Sequence, residues 1–233
     1  MRLNRTIFAS IFALLLNWAG PVGATVIDDF TSGNDFNITK AVGQVEWVNY
    51  TGSGPIGNQR QVRITGGAHT GNNTTVLDTT AGTLSTSILG YADTFVSYGT
   101  GIVGGPELNI AATDSSVFEF DFSDFDLGVS DIGGYFSVGF RDGNGSIFSR
   151  YMTVAEMTSL DVSGGGMASM LLNSFTNFGS YNGEIDGIWF GVDDRDFDLV
   201  VISEVRLSAV QAPAPASGLL VALGLFALIR RRR

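Results

Sequence analysis

The stretch Val117-Phe118-Glu119-Phe120-Asp121-Phe122 places three rings on one side of the chain and two carboxylates on the other. A two-residue period of this kind belongs to a strand with one buried face. The period recurs at residues 135–140, where Phe136, Val138 and Phe140 are expected inward, at 188–192, and in shorter form at 61–65. It returns at 197–207, with Phe197, Leu199 and Val201 on one face and Val205 and Leu207 continuing it. Clusters of Gly, Asn, Asp, Ser and Thr separate these runs, which is an all-β pattern. Asp142-Gly143-Asn144-Gly145 ahead of Ile147-Phe148 predicts a tight hairpin turn. Residues 151–160 alone suggest a helix, and Gly164-Gly165-Gly166 reads as a flexible loop. No repeat of solenoid length is found. The expected fold is an all-β antiparallel sandwich of jelly-roll type over residues 25–211. Those 187 residues are enough for one domain with a sizeable core.

Composition narrows the chemistry. The 233 residues include 31 Gly, no Cys and one His, with 44% apolar and 11% aromatic positions. So many rings exclude wholesale disorder. The absence of Cys excludes a disulfide scaffold, a thiolate zinc site and a cysteine nucleophile. A lone His69, in a Gly-rich stretch, makes a His-rich metal site or a histidine relay impossible. No Gly-x-Ser-x-Gly, P-loop or His-Glu-x-x-His pattern is present.

The two ends carry a different kind of information. Met1-Arg2-Leu3-Asn4-Arg5 is basic, residues 7–16 form an apolar run, and Val22-Gly23-Ala24 supplies small residues. That order predicts a signal peptide over residues 1–24, cleaved after Ala24. At the other end, residues 212–217 are an extended Pro-containing stretch, residues 218–229 are uninterrupted apolar, and Arg230, Arg231, Arg232 and Arg233 finish the chain. Residues 216–229 predict a short membrane helix, about 21 Å long at 1.5 Å per residue, against a hydrocarbon thickness of about 30 Å. The terminal arginines orient it with the preceding domain outside the cytoplasm. Without the two ends, seven basic residues face all 23 acids, a net charge of −16 with His neutral. Such a surface is soluble and repels nucleic acid and anionic lipid, so no nucleic-acid partner is expected.

Pro213-Ala214-Pro215, the apolar segment and the arginine cluster together resemble the PEP-CTERM sorting signal of Gram-negative bacteria, with Ala214 where that family carries Glu. The resemblance covers residues 212–233. It implies recognition by an exosortase, an integral-membrane transpeptidase-like enzyme, with transient anchoring in the inner membrane. Processing near the Pro-x-Pro element and release to the cell surface or extracellular matrix would follow. The body is similar to galactose-binding-like carbohydrate-binding modules in its opening Asp28-Asp29-Phe30, in Arg60-Gln61-Val62-Arg63 and in its closing strand. That resemblance implies that the opening and closing strands lie side by side, and that the domain binds rather than catalyses.

Three sets of residues are candidates for chemistry. Asp193, Asp194, Asp196 and Asp198 lie within six positions, and Asp121, Asp124, Asp126 and Asp131 within eleven. Carboxylates in turns suit calcium, which takes six to eight oxygens; the same acids equally suit a solvated turn. Asp28 and Asp29, with Glu204 of the last strand, are a second calcium candidate if the strands are neighbours. No other cofactor is expected. Trp47, Tyr50, Tyr91, Tyr98 and Tyr181 lie in loops or at strand ends and suit stacking on sugar rings, or else packing. The expectation is a non-enzymatic exported protein that interacts with exopolysaccharide. The alternatives are a secreted carbohydrate-active enzyme, which would need two carboxylates in a cleft, and a purely structural matrix protein.

Overall fold

The computed structural model describes residues 24–67, 72–90, 92–128, 134–193 and 197–209. The signal segment, the sorting tail, His69, Tyr91, Asp131, Asp194 and Asp196 lie outside the described residues. In chain order the strands are β1 (Thr25–Asp28), β2 (Phe36–Lys40), β3 (Val45–Thr51), β4 (Gln59–Thr65), β5 (Asn73–Asp78), β6 (Thr83–Ile88) and β7 (Asp93–Gly99). There follow β8 (Ile110–Ala111), β9 (Ser116–Asp126), β10 (Tyr135–Asp142), β11 (Ile147–Tyr151), the helix α1 (Val154–Ser163), β12 (Gly166–Leu171), β13 (Glu184–Asp193) and β14 (Phe197–Ala209).

The strands form two antiparallel sheets of seven. The first runs β12-β9-β14-β6-β5-β2, with β1 added against β14; the second runs β11-β10-β13-β7-β4-β3, with β8 added against β13. The chain alternates between them, so consecutive hairpins fall on opposite layers. The opening and closing strands pair as expected, Thr25 opposite Leu207 and Asp28 opposite Val205. Among the described residues no helix is long and apolar enough to cross a membrane.

The inward residues of both sheets make one core. Phe120 of the first sheet meets Phe136 and Phe190 of the second edge-on, with ring centroids 5.1 and 5.2 Å apart. Phe122 repeats this contact with Phe136 at 5.2 Å. Edge-to-face geometry suits the ring quadrupole and adds to the value of the buried area.

Several local expectations shift. Val200, Ile202, Val205 and Leu207 point inward beside Phe197, whereas Leu199 and Val201 do not. Irregularities in the pairing between Phe197 and Val200 and between Ile202 and Glu204 each slip the alternation, because one extra residue in a strand reverses the faces beyond it. The helix begins at Val154, three residues later than expected, and Tyr151 belongs to β11. Thr153 fixes the start: its hydroxyl accepts from the Glu156 amide, and the Glu156 carboxylate accepts from the Thr153 amide at 2.7 Å. The glycine triplet is not a free loop: Gly164 is the left-handed cap of α1 (φ 66°), and Gly166 opens β12. The Asp142 turn forms as read, its Oδ1 accepting from the Asn144 and Ser146 amides at 3.0 and 2.8 Å.

Two polar ties join the layers through the core. The Arg60 guanidinium donates to Asp28 Oδ2 at 2.7 Å and to the Ser32 carbonyl at 2.6 Å. Tyr98 donates to the same Asp28 oxygen at 2.8 Å, and the Phe30 amide donates to Oδ1 at 2.8 Å. Asp28 and Tyr98 are 0% exposed and Arg60 is 2% exposed. Burial pushes the Asp28 carboxyl up from its ordinary value, against the opposing pull of Arg60. Burial, and then the Asp28 charge, push the Tyr98 hydroxyl well above its own. The second tie is Asn73, whose side-chain amide donates to the Asp93 and Thr65 carbonyls and to the Thr94 hydroxyl at 2.7, 3.2 and 2.9 Å.

Removing one partner of a buried ion pair leaves an uncompensated charge in the core. Arg60→Met should therefore destabilise the fold by about 3–5 kcal/mol, measured by denaturant unfolding. The double variant Asp28→Asn/Arg60→Met should recover part of that loss, and a double variant no better than the single would contradict this role.

Candidate functional site

The outer faces of the two sheets differ in kind. On the first, the described outward residues of β2, β5 and β6 include Asn37, Thr39, Thr74, Val76, Ser85 and Ser87, and those of β9 and β14 include Glu119, Asp121 and Val201. Among the described residues, no ring projects from this face.

The second sheet carries rings on five of its strands. One row of paired residues crosses it as Trp47, Arg63, Phe95, Gly191, Ser137 and Tyr151, from β3 to β11. The next row is Asn49, Gln61, Ser97, Trp189, Gly139 and Ser149. Both rows lie outward because Val62, Val96, Phe190, Val138 and Phe148, their neighbours in sequence, fill the core.

Two glycines decide how the rings lie. A Cβ on Gly139 would run into the Trp189 indole, and a Cβ on Gly191 would meet the Phe95 ring at 2.9 Å. Each ring therefore rests over a neighbouring strand where a side chain is missing. Trp47 is 52% exposed at the edge strand. The Arg63 guanidinium bridges the rings, 5.9 Å from the Trp47 centroid and 5.1 Å from that of Phe95. Asp93 holds Arg63 in place through a 3.0 Å ion pair. At the far corner the exposed rings of Tyr135 and Tyr151 meet edge-on, 5.4 Å apart. Polar donors and acceptors lie between the rings, among them Gln61, whose amide donates to Asn49 at 2.8 Å. Flat rings interspersed with amides and hydroxyls can take up a ligand that has both apolar faces and hydroxyl edges.

The residues proposed from sequence fall into three groups. Trp47 stands on this face. Tyr98 does not: its alternation turns it inward, where it is buried and bound to Asp28. Tyr50 also faces inward, under the Arg60 guanidinium at 5.6 Å, with its hydroxyl donating to Ser53 at 3.1 Å. Tyr181 is half-buried against Phe140, Phe148 and Phe178, with its hydroxyl donating to the Ala112 carbonyl at 3.3 Å. Burial, then the charges of Asp142, Glu184 and Asp186, push its hydroxyl above the ordinary range.

The calcium expectation at Asp28 and Asp29 is corrected. β1 and β14 are neighbours, but both Asp28 oxygens already accept from Arg60, Tyr98 and the Phe30 amide. Asp29 accepts from Thr31, and Glu204 engages Arg206 at 3.4 Å. A guanidinium fills the place a cation would take, so these residues do not fit calcium. Asp193 closes β13, while Asp198 is exposed next to Gly128. Among the described residues, no group of three or more acidic or histidine side chains is arranged to hold a metal ion.

Sequence reading missed Phe95, Tyr135, Tyr151 and Trp189. Trp189 sits in the run Ile188-Trp189-Phe190-Gly191-Val192, where every residue but Gly191 is apolar. The available signal was the pairing of strict alternation in β13 with small residues at Gly139 and Gly191.

No protein-family model matches the chain, and no curated protein matches it. Solved structures show a distant likeness. The family 11 carbohydrate-binding module of a cellulosomal cellulase of Clostridium thermocellum is 12% identical at a TM-score of 0.39, over 82% of this chain and 97% of that one. The solution structure of CtCBM11 is 15% identical at 0.40, over 83% and 99% of the two chains. A xylan-binding module, CBM15, is 10% identical at 0.38, over 77% and 100%. At scores of this size the likeness carries no argument about what this chain binds; the surface itself has to.

Gly139→Val should lift the indole of Trp189 off the sheet without entering the core. With Trp18 and Trp47 changed to Phe, acrylamide quenching of the remaining indole should rise while the unfolding midpoint stays close to that of the parent. Unaltered quenching would contradict the packing of Trp189 on Gly139.

Proposed function

We propose that this is an exported, non-enzymatic protein of the cell surface or extracellular matrix that binds an extended polysaccharide across the outer face of its second sheet. The observation that carries the reading is the asymmetry of the two outer faces. Rings of Trp47, Phe95, Trp189, Tyr135 and Tyr151 share one face with amides and hydroxyls, and the described residues of the other face have none. A pyranose offers an apolar face to a ring and hydroxyls to Asn49, Gln61 and Ser97. From β3 to β11 is five inter-strand steps, roughly 24 Å at about 4.8 Å each. That length suits several linked sugars and exceeds a single one. The open shape of the face, with no cleft among the described residues around Asp93 and its ion pair to Arg63, suits binding without turnover.

The address labels complete the reading. The first 24 residues direct the chain through the inner membrane. The short apolar segment 216–229 tethers it with the sandwich outside the cytoplasm. Pro213-Ala214-Pro215 and the arginine cluster present the tail to an exosortase-type transpeptidase. A net charge of −16 keeps the released domain soluble.

Affinity electrophoresis of the full chain through gels holding soluble polysaccharides tests the binding. Trp189→Ala should weaken retardation about thirtyfold in Kd, the roughly 2 kcal/mol typical of a central aromatic anchor. Thr74→Ala, on the opposite face, should not. Equal effects of the two, or no retardation of the parent, would overturn the reading. For the sorting step, mass spectrometry of protein from the surface fraction should find Thr25 as the first residue and no trace of Arg230 to Arg233. An intact arginine tail on surface protein would contradict it.

A further inference from the structure

Arg141 stands apart from the other cations of the domain. Lys40, Arg60, Arg63, Arg150 and Arg206 each have a carboxylate within 3.4 Å. Among the described residues, Arg141 alone of the basic side chains has none within 4.0 Å, in a chain with 23 acids against 13 bases. Its polar contact is one Nη1 hydrogen bond, 3.2 Å from the Thr100 carbonyl, and its Nε has no partner.

Its position matters as much as its lack of a carboxylate partner. Arg141 projects from β10 two residues beyond Gly139, on the outward face, opposite Gly187 of β13. It is therefore the diagonal neighbour of Trp189, within reach for a long side chain. The turn after β7 closes over Gly187, where a Cβ would meet the Thr100 hydroxyl at 2.6 Å. It forms a rim at that end of the face, and Arg141 is fastened to it. Two acids of this end do not pair with it: Asp142 Oδ1 accepts from its own turn while its Oδ2 is buried without a partner, and Asp186 Oδ1 accepts from the Asn109 amide at 3.3 Å. Both are at most 5% exposed.

We infer that Arg141 and Trp189 form a subsite for an anionic sugar, the indole taking the ring and the guanidinium its carboxylate or sulfate, so that the polysaccharide bound is an acidic one. The inference rests on the binding reading above and adds the class of ligand. A guanidinium forks onto two oxygens of either group, and the planar ring beside it sets where that group must sit.

The test uses full-length protein with four probes: dextran and dextran sulfate, which share a backbone, and a polyuronate with its methyl ester. The parent should bind at least one charged member about tenfold or more tighter than its neutral counterpart, and that margin should shrink as NaCl rises. Which charged member wins separates sulfate from carboxylate. Arg141→Gln should erase the margin, whereas Trp189→Ala should weaken charged and neutral probes alike. A margin that survives in Arg141→Gln, or neutral probes bound as tightly as charged ones with Trp189 still required, would overturn the anionic subsite and leave the binding face standing. No binding of any of the four, nor of the other polysaccharides in the gel survey, would overturn both.

Discussion

The ion pair between Asp28 and Arg60 is the constraint on which the rest of the sandwich depends. It joins the first strand of one sheet to β4, next to the edge of the other, away from water, with Tyr98 and the Phe30 amide completing the shell of the carboxylate. A buried charge tolerates no vacancy, so each partner is fixed by the others. Phe30 is held in the left-handed region (φ 55°) beneath the same guanidinium, 5.5 Å from its ring centroid. That strain persists only because its surroundings over-determine it. The pair also settles what this corner is for. A carboxylate already met by a guanidinium has no need of calcium, and a tyrosine bound to that carboxylate cannot reach a ligand.

With the layers locked, the outward residues are free to differ, and they do. One face, among the described residues, carries hydroxyls, acids and a few aliphatic side chains but no ring. The other sets Trp189 and Phe95 against glycines, so that these two rings have a bare backbone to lie on. This division of labour uses the pleat of the sheet: the core sets every second residue, and the remaining positions of β3, β4, β7, β13 and β10 come into line across the strands. Residues far apart in sequence, such as Trp47 and Tyr151, thereby end in one row. Arg63, which rests between two rings in an ion pair with Asp93, and Arg141, the diagonal neighbour of Trp189, place two guanidinium groups on this face.

Much of the fold was legible in the sequence because strand alternation is a local signal. The Phe118-Phe120-Phe122 face and the Asp142 turn emerged from a few residues each, whereas the adjacency of the first and last strands was implied by the resemblance to carbohydrate-binding modules. The phase of β14 was not legible, since bulges depend on how a partner strand is paired. Nor was the helix start, where the reciprocal bonds of Thr153 and Glu156 outweighed the broader apolar pattern. Tyr98 and Asp28 looked like surface chemistry because their types are usually wet; only the placement of Arg60, more than thirty residues away, shows that they are interior. The face proposed for binding was the least legible part. It is a property of register across several strands, and no window of sequence contains it.

The central claim is that ligand contact is confined to one face of the sandwich, and backbone amide shifts report this most directly. In a titration of isotope-labelled protein with an oligosaccharide released from the polysaccharide that it binds most tightly, the indole N–H of Trp47 and Trp189 and the amides of β4, β7, β13 and β10 should move together. The amides of β2, β5 and β6 should stay still. Movement centred on the first sheet, or on the loops with the Trp47 and Trp189 indoles unmoved, would contradict the account.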